Sequence, residues 1–272
     1  MFVLVILVFF YMIDSHCHLN FNAFKDDWRQ VLARCFENDI TSIINIGSNY
    51  KTSERAVNIA KEFKQSFAAI GLHPIHVRDE KFEIEKYHKL IIENKNYIKA
   101  IGETGLDYFH QPVNKELQKK VFLKHLELAR EFNLPVILHC RGSIDDPFQA
   151  YNDLLSIVYN SKFMVHGTIH CFSANWLIAQ KFLDLGFYIG FTGIITYKNC
   201  GQDLLETVEK TPLEKILIET DAPYLTPAPY RGQRCEPWHV KFVAEKIAQI
   251  KKITQKKVIE RTTQNAKDLF KV

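Results

Sequence analysis

Short apolar runs alternate with longer segments of helical periodicity along most of this chain. Such alternation predicts parallel strands joined by helical crossovers, because each buried strand is followed by an amphipathic helix that covers it. The predicted strands span Tyr11–His16, Ser42–Ile46, Ser66–Leu72, Ile98–Gly102, Pro135–His139, Thr168–Cys171, Phe187–Thr192 and Lys215–Glu219. The predicted helices span Asp27–Asn38, Thr52–Lys64, Glu80–Lys95, Glu116–Phe132, Phe148–Asn160, Trp176–Leu185, Asp203–Lys210, Trp238–Ile250 and Lys256–Leu269.

Eight strands with helical crossovers predict an α/β protein, a single (β/α)8 TIM-like barrel, and a doubly wound open sheet is the alternative. The chain has 272 residues, which accommodates a barrel of about 250 residues. A nucleotide-binding open sheet is disfavoured, because neither a GxGxxG nor a GxxxxGK[ST] loop is present. In the absence of repeats or linkers, we predict one barrel domain over residues 12–272, preceded by an apolar N-terminal extension over residues 1–11.

The first predicted strand runs into two histidines, His16 and His18. Side chains two residues apart on a strand point to the same face, so this pair forms half of a metal site. Four further metal-type side chains lie at or after the ends of other predicted strands: Glu103, His139, His170 and Asp221. Because the carboxyl ends of barrel strands meet at one mouth, we expect all six side chains to converge there.

Four imidazoles and two carboxylates are more ligands than one tetrahedral ion with an open position needs. They suit two divalent ions that share one ligand. The mixture of nitrogen and oxygen ligands favours Zn²⁺, Mn²⁺, Co²⁺ or Fe²⁺, and Mg²⁺ binds such a site more weakly. Glu103 is the expected bridge, because a carboxylate has two oxygens. The first ion is expected to bind His16, His18 and Asp221, and the second to bind His139 and His170.

Other side chains near these strand ends are candidates for binding substrate. His73 follows the third predicted strand, and Arg141 lies two residues beyond His139. Tyr230 and Arg231 lie in the proline-rich loop after the eighth strand. Arginine binds phosphate oxygens in a bidentate fashion. The mild net charge of +4 tolerates an anionic substrate but does not indicate a nucleic-acid scaffold.

Six cysteines without a CxxC pair favour a reducing compartment, so we predict a cytoplasmic protein. Cys17, Cys140 and Cys171 each adjoin a predicted ligand histidine. Adjacent strand residues face opposite ways, so these cysteines should face the helix layer rather than the metal site.

The apolar stretch over residues 1–11 is too short for a membrane span, which needs roughly 20 residues. It also lacks the positive region and cleavage site of a signal peptide. We therefore expect no stable membrane insertion and take Met12 as the functional start. A lengthened first strand and a weak membrane-associating tail are the alternatives.

Eight motifs make the chain resemble the TatD family of metal-dependent hydrolases, within the amidohydrolase-like superfamily. They are DSHCHL at 14–19, GLHP at 71–74, GETGLD at 102–107, LHCR at 138–141, HCFS at 170–173, ETDAPYL at 219–225, PYRG at 229–232 and NAKDLF at 265–270. The resemblance implies a TIM-like barrel, a divalent-metal centre on the same six positions, and DNase activity, often 3′→5′ exonuclease action on single strands. Residues 1–11 and the longer segment after Arg141 depart from the family's pattern.

The function predicted from these residues is phosphodiester hydrolysis by a two-metal mechanism with a metal-bound hydroxide. Asp221 and Glu103 are the expected catalytic residues, with Asp221 orienting the nucleophile and accepting its proton. His73 and Arg231 are expected to neutralise phosphate charge. DNA or another phosphodiester is the expected partner, and the protein is expected to be a monomer or a weak dimer.

Two alternatives stay open. The same site could hydrolyse a small amide, ester or lactone, although such amidohydrolases usually place a carboxylated lysine where Glu103 stands here. The protein could also be a non-catalytic binding or scaffold partner, against which the intact ligand set argues. A panel of substrates separates the first alternative, and metal analysis separates the second.

Overall fold

The computed structural model describes residues 11–161 and 163–272, and its strands form one sheet of eight. Each strand is hydrogen-bonded in parallel to the next one along the chain. The strands are β1 (Met12–Cys17), β2 (Ile40–Ile46), β3 (Ser66–Ile70), β4 (Ile98–Asp107), β5 (Val136–Arg141), β6 (Gly167–Ile169), β7 (Tyr188–Phe191) and β8 (Ile216–Ile218). The predicted extension falls on residues 1–10, which lie outside the described residues, and on Tyr11.

Helices follow every strand within the described part of the chain. They are α1 (Trp28–Glu37), α2 (Tyr50–Glu62), α3 (Ile84–Glu93), α4 (Lys115–Phe132), α5 (Gln149–Asn160), α6 (Trp176–Asp184), α7 (Gln202–Lys210), α8 (Val240–Lys251) and α9 (Gln255–Phe270). Helix α2 begins earlier than predicted because Asn49 caps it: the Asn49 side chain accepts a hydrogen bond from Thr52 N at 2.9 Å, and the Thr52 side chain accepts one from Asn49 N.

The first and last strands meet where they approach the predicted site. The amide of Asp221 donates to the carbonyl of His16 at 2.9 Å, and the amide of His18 donates to the carbonyl of Ala222 at 2.8 Å. A parallel bridge also joins Cys17 to Ala222. The sheet therefore curls round to an almost closed barrel, and the predicted fold class is confirmed.

A separate apolar cluster fills the inside of the barrel. It is formed by Ile13, Ile44, Ile46, Ala69, Ala100, Ile137 and Leu217 together with Ala266, Leu269 and Phe270 of α9. Helix α9 lies across the amino-terminal end of the strands, because the Asn265 side chain donates to the carbonyls of Leu213 and Ile216 at the start of β8. This end of the barrel is thus closed by hydrocarbon, a region that we call the floor.

Strand β1 gains an extra residue just before the mouth. It takes three steps between Asp14 and Cys17 while its neighbour β2 takes two. An extra residue of this kind changes which side chains face inward. For that reason Ile13 packs inside the barrel and His16, three positions later, also reaches the interior.

The same irregularity occurs in β4. This strand takes three steps between Ile101 and Thr104 while β5 takes two. As a result Ala100 packs in the interior cluster and Glu103, again three positions later, faces the same interior. The predicted end of this strand at Gly102 is wrong, because pairing with β5 resumes at Thr104 and continues to the end of β4.

Candidate metal centre

His16 and His18 present ring nitrogens to a common point at the mouth of the barrel. Their Nε2 atoms lie 3.2 Å apart, and His18 Nε2 lies 3.2 Å from Asp221 Oδ1. The other ring nitrogen of His18, Nδ1, lies 2.8 Å from the carbonyl of Ile46, which can only accept. A neutral His18 therefore carries its proton on Nδ1 and turns the lone pair of Nε2 towards the cluster.

Glu103 stands between two groups of side chains. Its Oε2 lies 3.4 Å from His16 Nε2 and 3.8 Å from His18 Nε2. Its Oε1 lies 2.9 Å from His139 Nδ1 and 4.0 Å from His170 Nε2. The two carboxylate oxygens thus face different histidines, as expected of a bridging residue.

His139 and His170 are each held by a carboxylate on the side away from Glu103. His139 Nε2 lies 2.8 Å from Asp107 Oδ2, and His170 Nδ1 lies 2.8 Å from Glu219 Oε1. Carboxylates in such positions fix the orientation and tautomer of a metal-binding imidazole and raise its basicity. One nitrogen of each ring is therefore left to face the centre of the site.

Asp221 joins the cluster from the end of β8. Its Oδ1 lies 3.7 Å from both His16 Nε2 and His170 Nε2, in addition to its contact with His18. Its backbone adopts a left-handed conformation with φ of 62°, which is uncommon for a residue with a side chain. The preceding Thr220 donates from both its amide and its hydroxyl to the buried carboxylate of Asp14, which anchors this turn.

The cluster is buried and strongly charged. Burial opposes ionisation of Glu103, yet the neighbouring His73, His139 and His16 lower the pKa of its carboxyl well below the usual range. Burial likewise opposes ionisation of Asp221, and His18 and His170 outweigh it and lower that pKa. Both carboxylates are therefore ionised at neutral pH and give the site a charge that attracts cations.

The histidines respond to the same charges in different ways. Burial and the neighbouring His170 lower the pKa of His16. For His139, burial is outweighed by the hydrogen bonds to Asp107 and Glu103, which raise its pKa to about 9. For His170, burial is outweighed by Glu219, which raises its pKa to about 10. Asp107 and Glu219 thus favour the positively charged form of the His139 and His170 rings.

The donor set fits divalent metal ions. Donor atoms about 2.1 Å from one tetrahedral ion lie roughly 3.4 Å from each other, and the nitrogen–oxygen distances around Glu103 run from 2.9 to 4.0 Å. Three overlapping groups have their donor atoms within 4.8 Å of one another: His16 with His18 and Glu103, His16 with His170 and Glu219, and His73 with Glu103 and His139. The six predicted side chains therefore come together at one mouth.

A family model described as TatD related DNase matches residues 13–271. The chain belongs to this family. The resemblance expected from the eight motifs is confirmed, and the match extends over nearly all of the chain.

Relatives and solved structures agree with this assignment of the TatD chain. It is 36% identical over 261 residues to the uncharacterized metal-dependent hydrolase YabD of Bacillus subtilis (strain 168), covering 96% of this chain and 99% of that one. It is 34% identical over 266 residues to the uncharacterized metal-dependent hydrolase YcfH of Escherichia coli (strain K12), covering 96% of each. The crystal structure of YJJV, a TatD homologue from Escherichia coli K12, matches with a TM-score of 0.88 at 27% identity, covering 96% of this chain and 98% of that one. This TatD protein is thus a metal-dependent hydrolase.

Among the predicted substrate residues, His73 lies inside the cluster. Its Nε2 is 3.4 Å from Glu103 Oε1, and its ring centroid is 4.2 Å from that of His139. Its Nδ1 accepts a hydrogen bond from the amide of Ile75, so a neutral His73 carries its proton on Nε2. Burial and the neighbouring His139 lower its pKa to about 4, so it is neutral at pH 7.

The other three predicted substrate residues lie in aromatic surroundings. The guanidinium of Arg141 stacks over Phe109 at 3.8 Å, and that of Arg231 stacks over Tyr197 at 3.6 Å. Within the described part of the chain, no hydrogen bond or ion pair links these arginines or Tyr230 to the six predicted ligands. The ring of Tyr230 packs, at centroid distances of 5.1 to 5.5 Å, against His239, Phe242 and Trp238.

The sequence does not predict that Asp107 and Glu219 contact His139 and His170. It assigns no role to Glu219, although this residue directly follows the buried run of β8 and lies two positions before Asp221. It does not pair Asp107 with a histidine, although the even spacing to Glu103 is a usable signal. Asp107 also accepts from His110, a partly exposed residue without any sequence context.

Cys17 and Cys140 face the helix layer, as the alternation with the neighbouring histidines predicts. Cys171 does not follow this pattern, because it lies beyond β6 in a left-handed conformation with φ of 46° and places its Sγ 3.4 Å from Thr192 Oγ1. Cys17 and Cys140 are buried in the cluster between strands and helices, and burial raises the pKa of both thiols well above the usual value. All six cysteines are free. Within residues 11–161 and 163–272, no helix combines the length and the apolar character that crossing a membrane requires.

Proposed function

We propose that this TatD protein is a divalent-metal-dependent deoxyribonuclease that cleaves phosphodiester bonds, acting as a 3′→5′ exonuclease on single-stranded DNA. The observation that carries the proposal is the convergence of side chains from β1, β4, β5, β6 and β8 around Glu103. The family, whose model is described as TatD related DNase, supports a nucleic-acid substrate.

In this proposal two divalent ions share Glu103. His16, His18 and Asp221 would hold the first ion, and His139 and His170 would hold the second. Ions in such sites supply charge neutralisation for a phosphodiester and lower the pKa of water. Asp107 and Glu219 would keep the two rings of the second site in place.

Other side chains at the mouth of the barrel are assigned roles in orienting water, accepting a proton and contacting the substrate. Asp221 has a carboxylate within 3.2 to 3.7 Å of three histidine nitrogens, and we assign it the role of orienting the attacking water and accepting its proton. His73 carries a proton on Nε2 and would donate it in a hydrogen bond to a phosphate oxygen. Arg231, Arg141 and Tyr230 are proposed to contact the substrate further from the reacting phosphorus.

The test uses metal-free protein with Mg²⁺, Mn²⁺ or Zn²⁺ added back singly. Labelled single-stranded DNA, duplex DNA and RNA are offered in parallel, with dipeptides and lactones as further arms. We expect metal-dependent release of mononucleotides from the 3′ end of single-stranded DNA. A Glu103→Gln variant, purified in the same way, reports any contaminating nuclease.

Two results would overturn the proposal. One is failure to hydrolyse any of the nucleic acids with every metal tested. The other is hydrolysis of a dipeptide or lactone and not of nucleic acid, which would indicate that the site has amidohydrolase activity.

A further inference from the structure

A cavity of about 400 Å³ opens beside the metal centre, between the segment after β1, the start of α2 and the turn after β8. The residues that matter for its chemistry are Phe21, Ser48, Lys51, Arg55, Pro223 and Tyr224. Its volume is within the range of small-molecule and cofactor pockets, roughly 300 to 1,000 Å³.

The cavity adjoins the residues of the centre on three sides. The ring of Phe21 stacks on His18, with centroids 4.2 Å apart and planes inclined by 18°. The carbonyl of Ser48 accepts from the amide of His73 at 2.9 Å. Tyr224 follows Asp221 by three residues, and its amide donates to the Asp221 carbonyl at 2.9 Å. The cavity therefore lies against residues that contact the centre.

The charges lining the cavity are of one sign. Lys51 and Arg55 lie four residues apart on α2, so they project from the same face of that helix. Among the described residues, neither forms an ion pair with a carboxylate, and none of the residues lining the cavity is acidic. The cavity therefore offers two cations to an anionic ligand.

Aromatic surface complements these charges. Tyr224 is 55% exposed, and Phe21 is half-buried. Basic side chains that track a phosphate backbone and aromatic rings on which bases stack are the combination that binds single strands without sequence preference. Stacking on such rings needs unpaired bases, which distinguishes single strands from duplexes.

We propose that this cavity is the subsite for the nucleotides of single-stranded DNA next to the scissile phosphate. Lys51 and Arg55 bind the neighbouring phosphates, and Tyr224, with Phe21 beside it, stacks on a base. The inference rests on the proposed nuclease function and adds where the strand lies beyond the metal centre.

The test compares two substrates, a single-stranded oligonucleotide and bis(p-nitrophenyl) phosphate, a diester that has no neighbouring phosphate for Lys51 and Arg55 to bind. For the Lys51→Ala/Arg55→Ala variant we expect KM for the oligonucleotide to rise about tenfold or more. The slope of log(kcat/KM) against log[salt] should become shallower by about 1 for each lost phosphate contact. Both kcat and KM for the small diester should stay at the wild-type values.

A matched control is available on α4, where Lys120 and Lys124 have the same spacing and the same degrees of exposure as Lys51 and Arg55. The Lys120→Ala/Lys124→Ala variant removes the same charge from the outside of the barrel. It should leave KM for the oligonucleotide near the wild-type value. An equal rise in KM for both double variants would mean that net charge alone causes the effect. That result would overturn the subsite.

The stacking role is tested at Tyr224. The Tyr224→Ala variant should raise KM for the oligonucleotide about fivefold or more, whereas Tyr224→Phe, which keeps the ring, should restore it. If wild-type protein hydrolyses neither substrate, the nuclease proposal fails. If it hydrolyses both and the Lys51/Arg55 and Tyr224 variants match it on the oligonucleotide, the subsite alone is refuted.

Discussion

The two ends of the barrel interior are built from opposite chemistry. At the floor, Leu269 and Phe270 of α9 are 3% and 1% exposed and pack in the apolar interior cluster. At the mouth, Glu103 and His16 are buried to a similar extent but meet other ionisable groups. Burial of apolar surface stabilises the fold, whereas burial of charge is costly until it is compensated. Stability and metal binding should therefore be separable by substitutions at opposite ends.

The largest effect is expected at the mouth. Replacing Glu103 by alanine removes the carboxylate that contacts both pairs of histidines, so metal-dependent hydrolysis should fall by more than about 1,000-fold, about 4 kcal/mol of transition-state stabilisation. Thermal unfolding should show that the fold is retained. The control is Glu131→Ala, which removes an exposed carboxylate on α4. Full activity of the Glu103 variant, with contaminating nuclease excluded, would refute its role.

At the floor, the Phe270→Ala substitution should produce the opposite result. Loss of a fully buried ring is expected to lower the free energy of unfolding by about 3–5 kcal/mol, measured by denaturant titration. Metal affinity should stay near the wild-type value, since distant sites are usually independent. The control is Phe36→Ala, which removes a ring that is 41% exposed. It should lower the free energy of unfolding much less. A parallel loss of metal binding in Phe270→Ala would mean that floor and mouth are coupled.

Metal ions bound at the mouth should stabilise the folded state. A ligand that binds only the folded state stabilises it by about 2.7 kcal/mol at a concentration 100 times its Kd. Mn²⁺ added to metal-free protein should therefore raise Tm in the wild type and, by a similar free energy, in Phe270→Ala. The Glu103→Ala variant should gain little. An equal gain in all three proteins would place the stabilising ion somewhere other than the mouth.

Substitution of Asp107 or Glu219 should weaken metal binding less than substitution of Glu103. For Asp107→Asn we expect metal affinity to fall about 10- to 100-fold, since the charge that orients His139 is lost. Isothermal titration calorimetry measures this without any assay of activity. The matched variant is His110→Ala, which removes the other imidazole on the same carboxylate and should change affinity much less. Wild-type affinity in Asp107→Asn would rule out a positioning role.

The smallest effect is predicted for a mouth residue with a structural role only. Asn49 caps α2 through its hydrogen bond to Thr52 N, so Asn49→Ala should lower the free energy of unfolding by about 1 kcal/mol. Its metal affinity should equal that of the wild type. A large change in affinity instead would extend the metal centre to the start of α2.

Much of the fold could be predicted from the sequence, because each strand is a short apolar run and each helix has its own periodicity. All eight strands lie within a few residues of their predicted positions, apart from the carboxyl end of β4. That error and the extra residue in β1 share a cause. Strict alternation from Ile13 places Ser15 and Cys17 inward, whereas pairing with β2 inserts a residue and aims His16 inward instead. Such register changes depend on the neighbouring strand and leave no local signal.

The candidate site was likewise only partly predictable from the sequence. The six predicted side chains converge because residues at the carboxyl ends of barrel strands must share one mouth. The pairing of Glu219 with His170 could not be predicted, since it depends on how two distant strands face each other. Gly190 on β7 makes room for it: a Cβ there would lie 2.6 Å from both Glu219 carboxylate oxygens. A glycine in a strand is otherwise ambiguous from sequence alone.

The hydrogen bond between the Asp221 amide and the His16 carbonyl has a consequence for biosynthesis. It joins groups separated by more than two hundred positions, and the site needs side chains from both partners. A polypeptide growing on the ribosome therefore cannot assemble the centre until β8 has left the exit tunnel. Under the proposed function, prematurely terminated products that stop before residue 221 lack the Asp221 carboxylate and are expected to be inert towards substrate, whatever secondary structure they had already acquired.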